Sequence, residues 1–277
     1  MMRNAFWKTL RAALCTLFLG SASTIVAQAN ELTDGKELLA SKDYSAAARK
    51  FAAGFDNGDS EAGFHLARMI ELGVGFEVDL EKARALYIVL ADQGSAAAMN
   101  RLGLMYLRAE SVRQDYAAGA ELVCKAADQG NAEGAFNCAG LALEGTGRER
   151  DPKAAYDYFA KAEAAGHVGA LNMLAALIRS GTGTAADPKR ALKLFERGAS
   201  FGNPVSLFNL GEMLERGEGA APDPVRAHLY YNLASERGHP AARDALMRVT
   251  GAMKPAQIAD AQSRARNWKP VTRPGAQ

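Results

Sequence analysis

Apolar residues recur along the chain with the spacing of amphipathic helices. In the stretch AAMNRLGLMYL (97–107), Met99, Leu102 and Met105 are spaced by three residues, which places their side chains on one face of an α-helix. Gly103 lies in the same stretch, where the missing side chain lets a neighbouring backbone approach closely. The pattern predicts a helix here, and further segments of this kind predict an all-α chain.

The pattern repeats with a period of 36 residues. ADQGSA (91–96) returns as ADQGNA (127–132), and four kinds of position stay in phase over six copies. These are a glycine (Gly58, Gly94, Gly130, Gly166, Gly202, Gly238), an aspartate (Asp43, Asp79, Asp115, Asp151, Asp187, Asp223), a small residue (Ala47, Ala83, Gly119, Ala155, Ala191, Ala227) and an aromatic or apolar residue (Phe51, Tyr87, Val123, Phe159, Phe195, Tyr231). A period of about 20–50 residues is typical of solenoids, in which each unit buries its apolar face against its neighbours.

Each unit predicts two helices. The second helix begins at the recurring aspartate, which proline follows in DPKAA (151–155), DPKRA (187–191) and DPVRA (223–227). A carboxylate at this position accepts a backbone N–H, and proline suits the first helical position because its missing N–H has no partner there. We therefore interpret the six aspartates as helix caps rather than a catalytic array, and the recurring glycine as the left-handed end of the second helix.

A Gly-x-Gly turn joins the two helices in four units, at residues 73–75, 145–147, 181–183 and 217–219. Glycine-rich loops can hold phosphate, but these follow a helix rather than a strand and lack the Lys-Ser/Thr of a P-loop. We interpret them as connectors. In the remaining unit, RAESVRQD (108–115) replaces the turn, which predicts a loop of another shape and makes this loop a second candidate contact site.

The order of these features resembles the Sel1-like repeat, a relative of the tetratricopeptide repeat: A-x-x-x-L-G/A, Gly-x-Gly, Asp, Ala, an aromatic residue and Ala-Ala/Asp-x-Gly over 36 residues. The resemblance implies a right-handed α/α solenoid. It divides the chain into a tetratricopeptide-like helix pair (30–58), five repeats (59–238), capping helices (239–270) and a flexible tail (271–277). Capping helices are expected because a solenoid must shield its last apolar face.

Residues 1–29 have the layout of a secretory signal peptide. Three basic residues precede an apolar stretch that ends in the triplet Ala27-Gln28-Ala29, and the segment contains no acidic residue. This layout predicts cleavage after about Ala29 and a periplasmic or secreted protein without stable membrane insertion. The alternative is a retained membrane anchor, which the short apolar run, broken at Gly20, disfavours.

Composition limits the kind of partner. The chain has 277 residues, of which 48% are hydrophobic and 23% are charged, values typical of a folded soluble protein. Its formal net charge is +2, and removing the three basic residues of the first 29 leaves −1. A nearly neutral chain does not predict binding to nucleic acid or to anionic lipid.

The sequence lacks the motifs that would indicate catalysis. It contains no His-Glu-x-x-His and no Ser-x-x-Lys, the signatures of zinc proteases and β-lactamases. Residues 198–202 (GASFG) match Gly-x-Ser-x-Gly, but this segment ends a predicted helix at the recurring Gly202, whereas the serine of a hydrolase lies on a turn from a strand to a helix. We predict no catalytic residue, no metal site and no cofactor. His167 and His239 directly follow the recurring glycine and are interpreted as loop caps, and the shared register of Met69, Met105 and Met213 indicates a core stripe rather than a copper site.

Two cysteines, Cys124 and Cys138, remain after the predicted cleavage. Cys124 lies on the second helix of one unit and Cys138 on the first helix of the next, at equal distances from residue 131 in the turn between them. In an antiparallel helix pair their side chains fall at the same height, and an exported protein is expected to oxidise such a pair. We predict a Cys124–Cys138 disulfide; the alternative is two buried thiols that act as small core residues.

Each first helix has one face that packs against its neighbours and a second stripe of residues that this packing does not use. By resemblance to related helical repeats, this stripe lines the concave face and binds peptides or partner domains. The predicted partner-binding residues are Phe64, Arg68, Glu71, Asn100, Leu104, Phe136, Asn172, Arg179, Phe208 and Glu212. The stripe varies from copy to copy, as a binding surface can; the alternative is a solvated face whose phenylalanines pack against neighbouring helices.

The leading hypothesis is an exported, non-enzymatic and monomeric interaction scaffold. The resemblance implies that it regulates an envelope sensor or assists assembly of an envelope complex in a bacterial periplasm, or engages host proteins if it is secreted further. Some cysteine-rich members of this repeat group carry a β-lactamase or penicillin-binding label, so binding or hydrolysis of cell-wall components is the alternative. The missing nucleophile motif disfavours it. A third alternative is a structural protein that self-associates through its ends.

Overall fold

A computed structural model describes residues 22–271, and the side chains of residues 31–271. This part of the chain contains fourteen α-helices and no strand, so the predicted all-α solenoid class is confirmed. The chain divides into two compact units, of which the first ends at Gln129 and the second begins at Gly130.

The described part of the first unit, residues 22–129, contains six helices, and each packs against the next along the chain. The helices are α1 (Ala22–Ala40), α2 (Tyr44–Asp56), α3 (Ser60–Leu72), α4 (Leu80–Asp92), α5 (Ala96–Arg108) and α6 (Tyr116–Asp128). Large side chains from successive helices fill the interior, among them Phe51, Leu66, Tyr87, Leu90 and Met105. Phe51 and Tyr87 belong to the predicted aromatic register, which therefore faces the core.

The described part of the second unit, residues 130–271, contains eight helices, and each of the first six packs against the next. They are α7 (Ala132–Glu144), α8 (Pro152–Ala164), α9 (Val168–Ser180), α10 (Pro188–Ser200), α11 (Pro204–Arg216), α12 (Pro224–Glu236), α13 (Ala242–Gly251) and α14 (Pro255–Asn267). The last two helices both pack against α12. Their buried side chains, which include Ala245, Val249 and Ala261, cover a face of α12 that would otherwise be apolar and exposed.

All six recurring aspartates cap the second helices. Each carboxylate accepts the backbone N–H three residues further on, at 2.9–3.0 Å. The recurring glycines that follow these helices have φ between 75° and 92°, the left-handed conformation that glycine adopts without steric cost. Both interpretations made from the sequence are confirmed.

The loop at residues 108–115 has the same backbone as the Gly-x-Gly turns, so the prediction of a different shape was wrong. Ala109 and Ser111 have φ of 56° and 58°, where the equivalent Gly73 and Gly75 have 70° and 74°. The Asp115 N–H also closes the loop on a helix carbonyl at 3.1 Å, as in the other units. The hydrogen-bond frame and the flanking helices fix this backbone whether or not glycine is present.

Two predicted segments lie mainly outside the described residues. Of the predicted signal peptide (1–29), only residues 22–29 are described, as the first part of α1. Of the predicted tail (271–277), only Val271 is described, and its N–H donates to the Ser200 carbonyl at 2.8 Å. Within residues 22–271, no helix combines the length and apolar character needed to cross a membrane.

Candidate partner-binding surface

The predicted binding residues all lie on first helices of the repeats, and we call them the first-helix stripe. In the first unit the stripe consists of Phe64, Arg68 and Glu71 on α3, with Asn100 and Leu104 on α5. In the second unit it consists of residues on α7, α9 and α11: Phe136, Asn172, Arg179, Phe208 and Glu212. The two parts are described separately.

Phe64 is the aromatic residue of the stripe in the first unit. Its half-buried ring lies 5.8 Å from the ring of Tyr87, centroid to centroid, and packs against the core. Its neighbour His65 stacks on Phe51 at 5.0 Å. Because Tyr87 is fully buried, Phe64 is held in place from beneath while part of its ring remains accessible.

Glu71 lies in the interior rather than on the surface, since its side chain is only 4% exposed. It accepts hydrogen bonds from the Tyr87 hydroxyl at 2.6 Å, from Arg68 Nη1 at 2.8 Å and from Arg101 Nε at 2.8 Å. Burial alone would raise the pKa of Glu71, but the bonds from Arg101, Tyr87 and Arg68 outweigh burial and lower that pKa. Glu71 therefore joins α3, α4 and α5.

Asn100 is also buried, with 6% of the residue exposed. Glu71 and Asn100 therefore present little surface to a partner in this structure. The partly exposed members of the stripe in the first unit are Phe64, Arg68 and Leu104. Arg68 is the charged residue among these three, and its side chain is 36% exposed.

In the second unit, Phe136 and Phe208 each lie between two rings. Phe136 is 5.6 Å from Phe159 and stacks on His167 at 4.3 Å. Phe208 repeats the arrangement 72 residues later, with Tyr231 at 5.5 Å and His239 at 4.2 Å. Both phenylalanines are half-buried, so each presents one edge of a fixed ring.

The two histidines differ in their hydrogen bonds. His167 caps α9, since its Nδ1 accepts the Ala170 N–H at 3.2 Å, and its Nε2 lies 3.0 Å from a Glu133 carboxylate oxygen. The interpretation of His167 as a cap is thus confirmed. His239 has no such bond among the described residues, and its buried Nδ1 lacks a partner, because α13 does not begin until Ala242.

Arg179 is the charged centre of the stripe in the second unit. Its guanidinium donates two bonds to Glu218, at 2.6 and 2.8 Å, and one to Glu212 at 2.7 Å. These bonds raise the pKa of Arg179 and, despite burial, lower that of Glu218. Asn172 is similarly engaged, as it donates to Asn203 Oδ1 at 3.0 Å and accepts from the Ser206 hydroxyl.

Sequence reasoning missed a repeated buried network. The Tyr87 hydroxyl donates to Glu71 and the Tyr231 hydroxyl donates to Glu215, each at 2.6 Å. Both members of the pair recur after 144 residues, which is four periods. The signal available in the sequence was the tyrosine in an otherwise apolar register, since a buried hydroxyl requires an acceptor.

Cys124 and Cys138 are both disulfide-bonded, as predicted. Among residues 22–271, no three His, Cys, Asp or Glu side chains are grouped as metal ligands would be. The polar groups of Glu71, Asn172, Arg179 and Glu212 in the stripe are engaged in hydrogen bonds between helices.

Comparison with protein families matches the Sel1 repeat to residues 60–95, 96–131, 132–167, 168–203 and 204–239. These matches cover more than half of the chain, and the chain belongs to the Sel1 repeat family, as the resemblance predicted. Repeats of this kind generally mediate protein–protein interactions, and scaffolds built from them are typically non-enzymatic.

Solved structures agree in fold. A Sel1 repeat protein from Oxalobacter formigenes is 23% identical and superposes with a TM-score of 0.72, over 86% of this chain and 100% of that one. A protective antigen of uropathogenic Escherichia coli with an SLR fold is 22% identical, with a TM-score of 0.54, over 81% of this chain and 56% of that one. Among curated proteins, the sequence comparison found no match.

Proposed function

We propose that the protein is an exported, non-enzymatic scaffold that binds a peptide or partner domain through the first-helix stripe. The observation that carries this proposal is the series of fixed, half-buried phenylalanines, one in every second repeat. Phe64, Phe136 and Phe208 each lie 5.5–5.8 Å from a ring of the following helix. Packing between repeats does not require these rings, because intervening repeats lack them: Asn100 and Asn172 stand at the equivalent positions.

Such rings suit recognition for an energetic reason. An aromatic side chain that is already held in one rotamer loses little entropy when a partner covers it, so most of the apolar contact is retained as binding free energy. Arg68 lies one helical turn from Phe64, and the Arg179–Glu212 pair lies in the same unit as Phe208. These charges would select the orientation of the partner.

The proposed location is the periplasm or the exterior of the cell, with a role in envelope signalling or in assembly of an envelope complex. Two observations support it. The first 29 residues have the layout of a signal peptide, and Cys124 and Cys138 are disulfide-bonded, a state that persists in oxidising compartments and is rare in the cytosol.

Site-specific photocrosslinking in the native cell tests the stripe. A photoreactive phenylalanine analogue is placed at Arg68 or Phe208, and as matched controls at Glu121 or Lys193, which are exposed on second helices. We expect one protein to be captured from the stripe positions and not from the control positions. Mass spectrometry of the captured band identifies the partner and hence the pathway.

The aromatic contribution is tested in the same cells with substitutions. Phe64→Ala should abolish capture through position 68 or weaken it strongly, whereas Tyr116→Leu, at an exposed ring outside the stripe, should leave it unchanged. Phe→Leu variants keep the apolar contact and separate loss of binding from loss of folding. Equal capture from stripe and control positions would contradict the proposal, and nitrocefin turnover by the purified protein would favour the enzymatic alternative.

A further inference from the structure

The first repeat carries an apolar surface that the other repeats lack. Phe76 and Val78, in the loop between α3 and α4, are 40% and 62% exposed. The equivalent pairs in the following loops are Val112 and Gln114, Arg148 and Arg150, Thr184 and Ala186, and Ala220 and Pro222. Since the other loops adopt their shape without such a pair of large apolar side chains, packing of the repeats does not explain Phe76 and Val78.

These side chains belong to a larger cluster. Leu72 is 56% exposed and Tyr44 is 36% exposed. A Cβ placed on Gly75 would lie 2.7 Å from the Tyr44 Cβ, and one on Gly73 would lie 2.9 Å from a Val78 methyl group. Tyr44 and Val78 therefore both pack against the turn, which places four large, exposed apolar side chains around one loop.

A cleft of about 510 Å³ opens beside this cluster. Its apolar lining comes from Ile70, Phe76, Val78 and Leu80. Ile70 is buried, whereas the others are partly or fully open to solvent. Exposed apolar surface next to a cleft is a feature of surfaces that bind other molecules rather than of ordinary solvated loops.

The charges at the cleft are mainly acidic. Glu77 and Glu81 line it and are exposed, and neither forms an ion pair with any residue that the structure describes. Asp79 also lines it, but its carboxylate caps α4. Lys82 is the single basic residue of the lining. The cleft therefore presents a net negative charge beside an apolar surface.

We propose that this cleft is a docking site for a peptide segment that carries an apolar side chain next to a lysine or arginine. The apolar side chain enters between Phe76 and Val78, and the cation pairs with Glu77 or Glu81. Charge complementarity of this kind raises the association rate and selects the register of the peptide. The cleft lies at a loop and includes no residue of the first-helix stripe. This proposal is therefore independent of the proposed function.

Selection from a phage-displayed library of short random peptides on the purified protein tests the proposal. We expect enrichment of sequences with Leu, Ile, Phe or Met next to Lys or Arg. A synthetic peptide of the enriched sequence is then measured by fluorescence anisotropy. Phe76→Ser with Val78→Ser should weaken its affinity about tenfold or more, and Glu77→Gln with Glu81→Gln should weaken it and reduce its dependence on salt.

The matched control is Val205→Ser with Met247→Ser, which removes two exposed apolar side chains elsewhere and should leave the affinity unchanged. Thermal unfolding confirms that every variant is folded. The proposal is overturned if no peptide is enriched, if the enriched peptides are acidic or lack an apolar residue, or if they bind the cleft variants as well as the wild type. A wild-type dimer that dissociates on substitution of Phe76 and Val78 would also overturn it, because the cleft would then bind a second copy of the chain.

Discussion

Ala109 and Ser111 have a left-handed backbone conformation, and glycine occupies the equivalent positions in the other loops. For an L-residue with a Cβ, this left-handed region costs about 1–2 kcal/mol. A hydrogen bond partly offsets this strain at Ser111, because the Ser111 hydroxyl accepts a bond from Arg84 Nε at 3.3 Å. The side chain of Ala109 ends at the Cβ and cannot form a hydrogen bond that would offset the strain.

Ala109→Gly should therefore raise the free energy of unfolding by about 1 kcal/mol. Ser111→Gly should raise it less, because it removes the bond from Arg84. Ala85→Gly, at a helical position in α4, is the control and should lower the free energy of unfolding by about 1 kcal/mol. Urea unfolding measures all three, and destabilisation by Ala109→Gly would show that the strain is relieved in some other way.

His228 is a polar residue in a buried position, where its imidazole is deprived of water. It is 3% exposed on α12, and its Nδ1 has no hydrogen-bond partner among the described residues. Burial lowers the pKa of His228 from its ordinary value of 6.5, because the charged imidazolium loses its hydration. Leu192 stands at the equivalent position one repeat earlier, so leucine fits this register.

His228→Leu should make the protein less sensitive to acid. A pKa that is lower in the folded than in the unfolded state means that the unfolded chain binds the proton more readily, so stability falls as the pH drops below about 6.5. Between pH 7.5 and 5, the free energy of unfolding should therefore fall less for the variant than for the wild type, as measured by urea unfolding. The reverse change, Leu192→His, should make the decline steeper. If both variants show the same dependence of the free energy of unfolding on pH as the wild type, the pKa of His228 is not lowered by folding.

At the scale of the elements, polar bonds between successive first helices supplement the apolar core. Glu71 joins α3 to Arg101 on α5, and Arg179 joins α9 to Glu212 on α11. In the first unit the network is the more deeply buried, since the side chain of Glu71 is 4% exposed and that of Arg101 is 13% exposed. Loss of one partner there leaves a buried charge uncompensated.

Glu71→Gln should lower the free energy of unfolding by about 2 kcal/mol at pH 7. Because the pKa of Glu71 is lower in the folded than in the unfolded state, its contribution is complete above about pH 4.5 and is lost as the pH falls towards the folded-state pKa. The difference between wild type and variant should therefore shrink in acid. Glu61→Gln, in a surface pair with Lys36 that is 59% exposed at the glutamate, should cost at most about 0.5 kcal/mol.

At the scale of the whole molecule, the disulfide is consistent with the proposed export. A signal peptide would direct the chain to a compartment where disulfides persist, and its removal would take Cys15 with it. The chain would then retain only Cys124 and Cys138, both of which are disulfide-bonded.

Protein recovered from the periplasm or the medium should begin near Asn30 and should contain no reactive thiol when it is unfolded without reductant. After reduction, two thiols should react. Mass spectrometry with thiol labelling measures both the new terminus and the number of labels. An uncleaved chain with a third, reactive cysteine would contradict export, and two free thiols in the cleaved chain would contradict the disulfide.

The sequence by itself determined the 36-residue period, the two helices of each unit, the aspartate caps and the left-handed glycines. The helices, the caps and the left-handed glycines each depend on residues a few positions apart, such as Asp151 and the N–H of Ala154, and local chemistry is therefore sufficient to predict them. The period in turn limited the fold to a solenoid, since each unit can bury its apolar face only against its neighbours.

Only the tertiary structure decided which polar and apolar side chains remain accessible. Glu71 has the spacing of a surface residue but is buried, because Tyr87 and Arg101 reach it from helices 16 and 30 residues away. The loop at Ala109 keeps its shape without glycine, because the packed helices on either side fix its ends. These outcomes depend on contacts between distant parts of the chain, and helical periodicity contains no information about them.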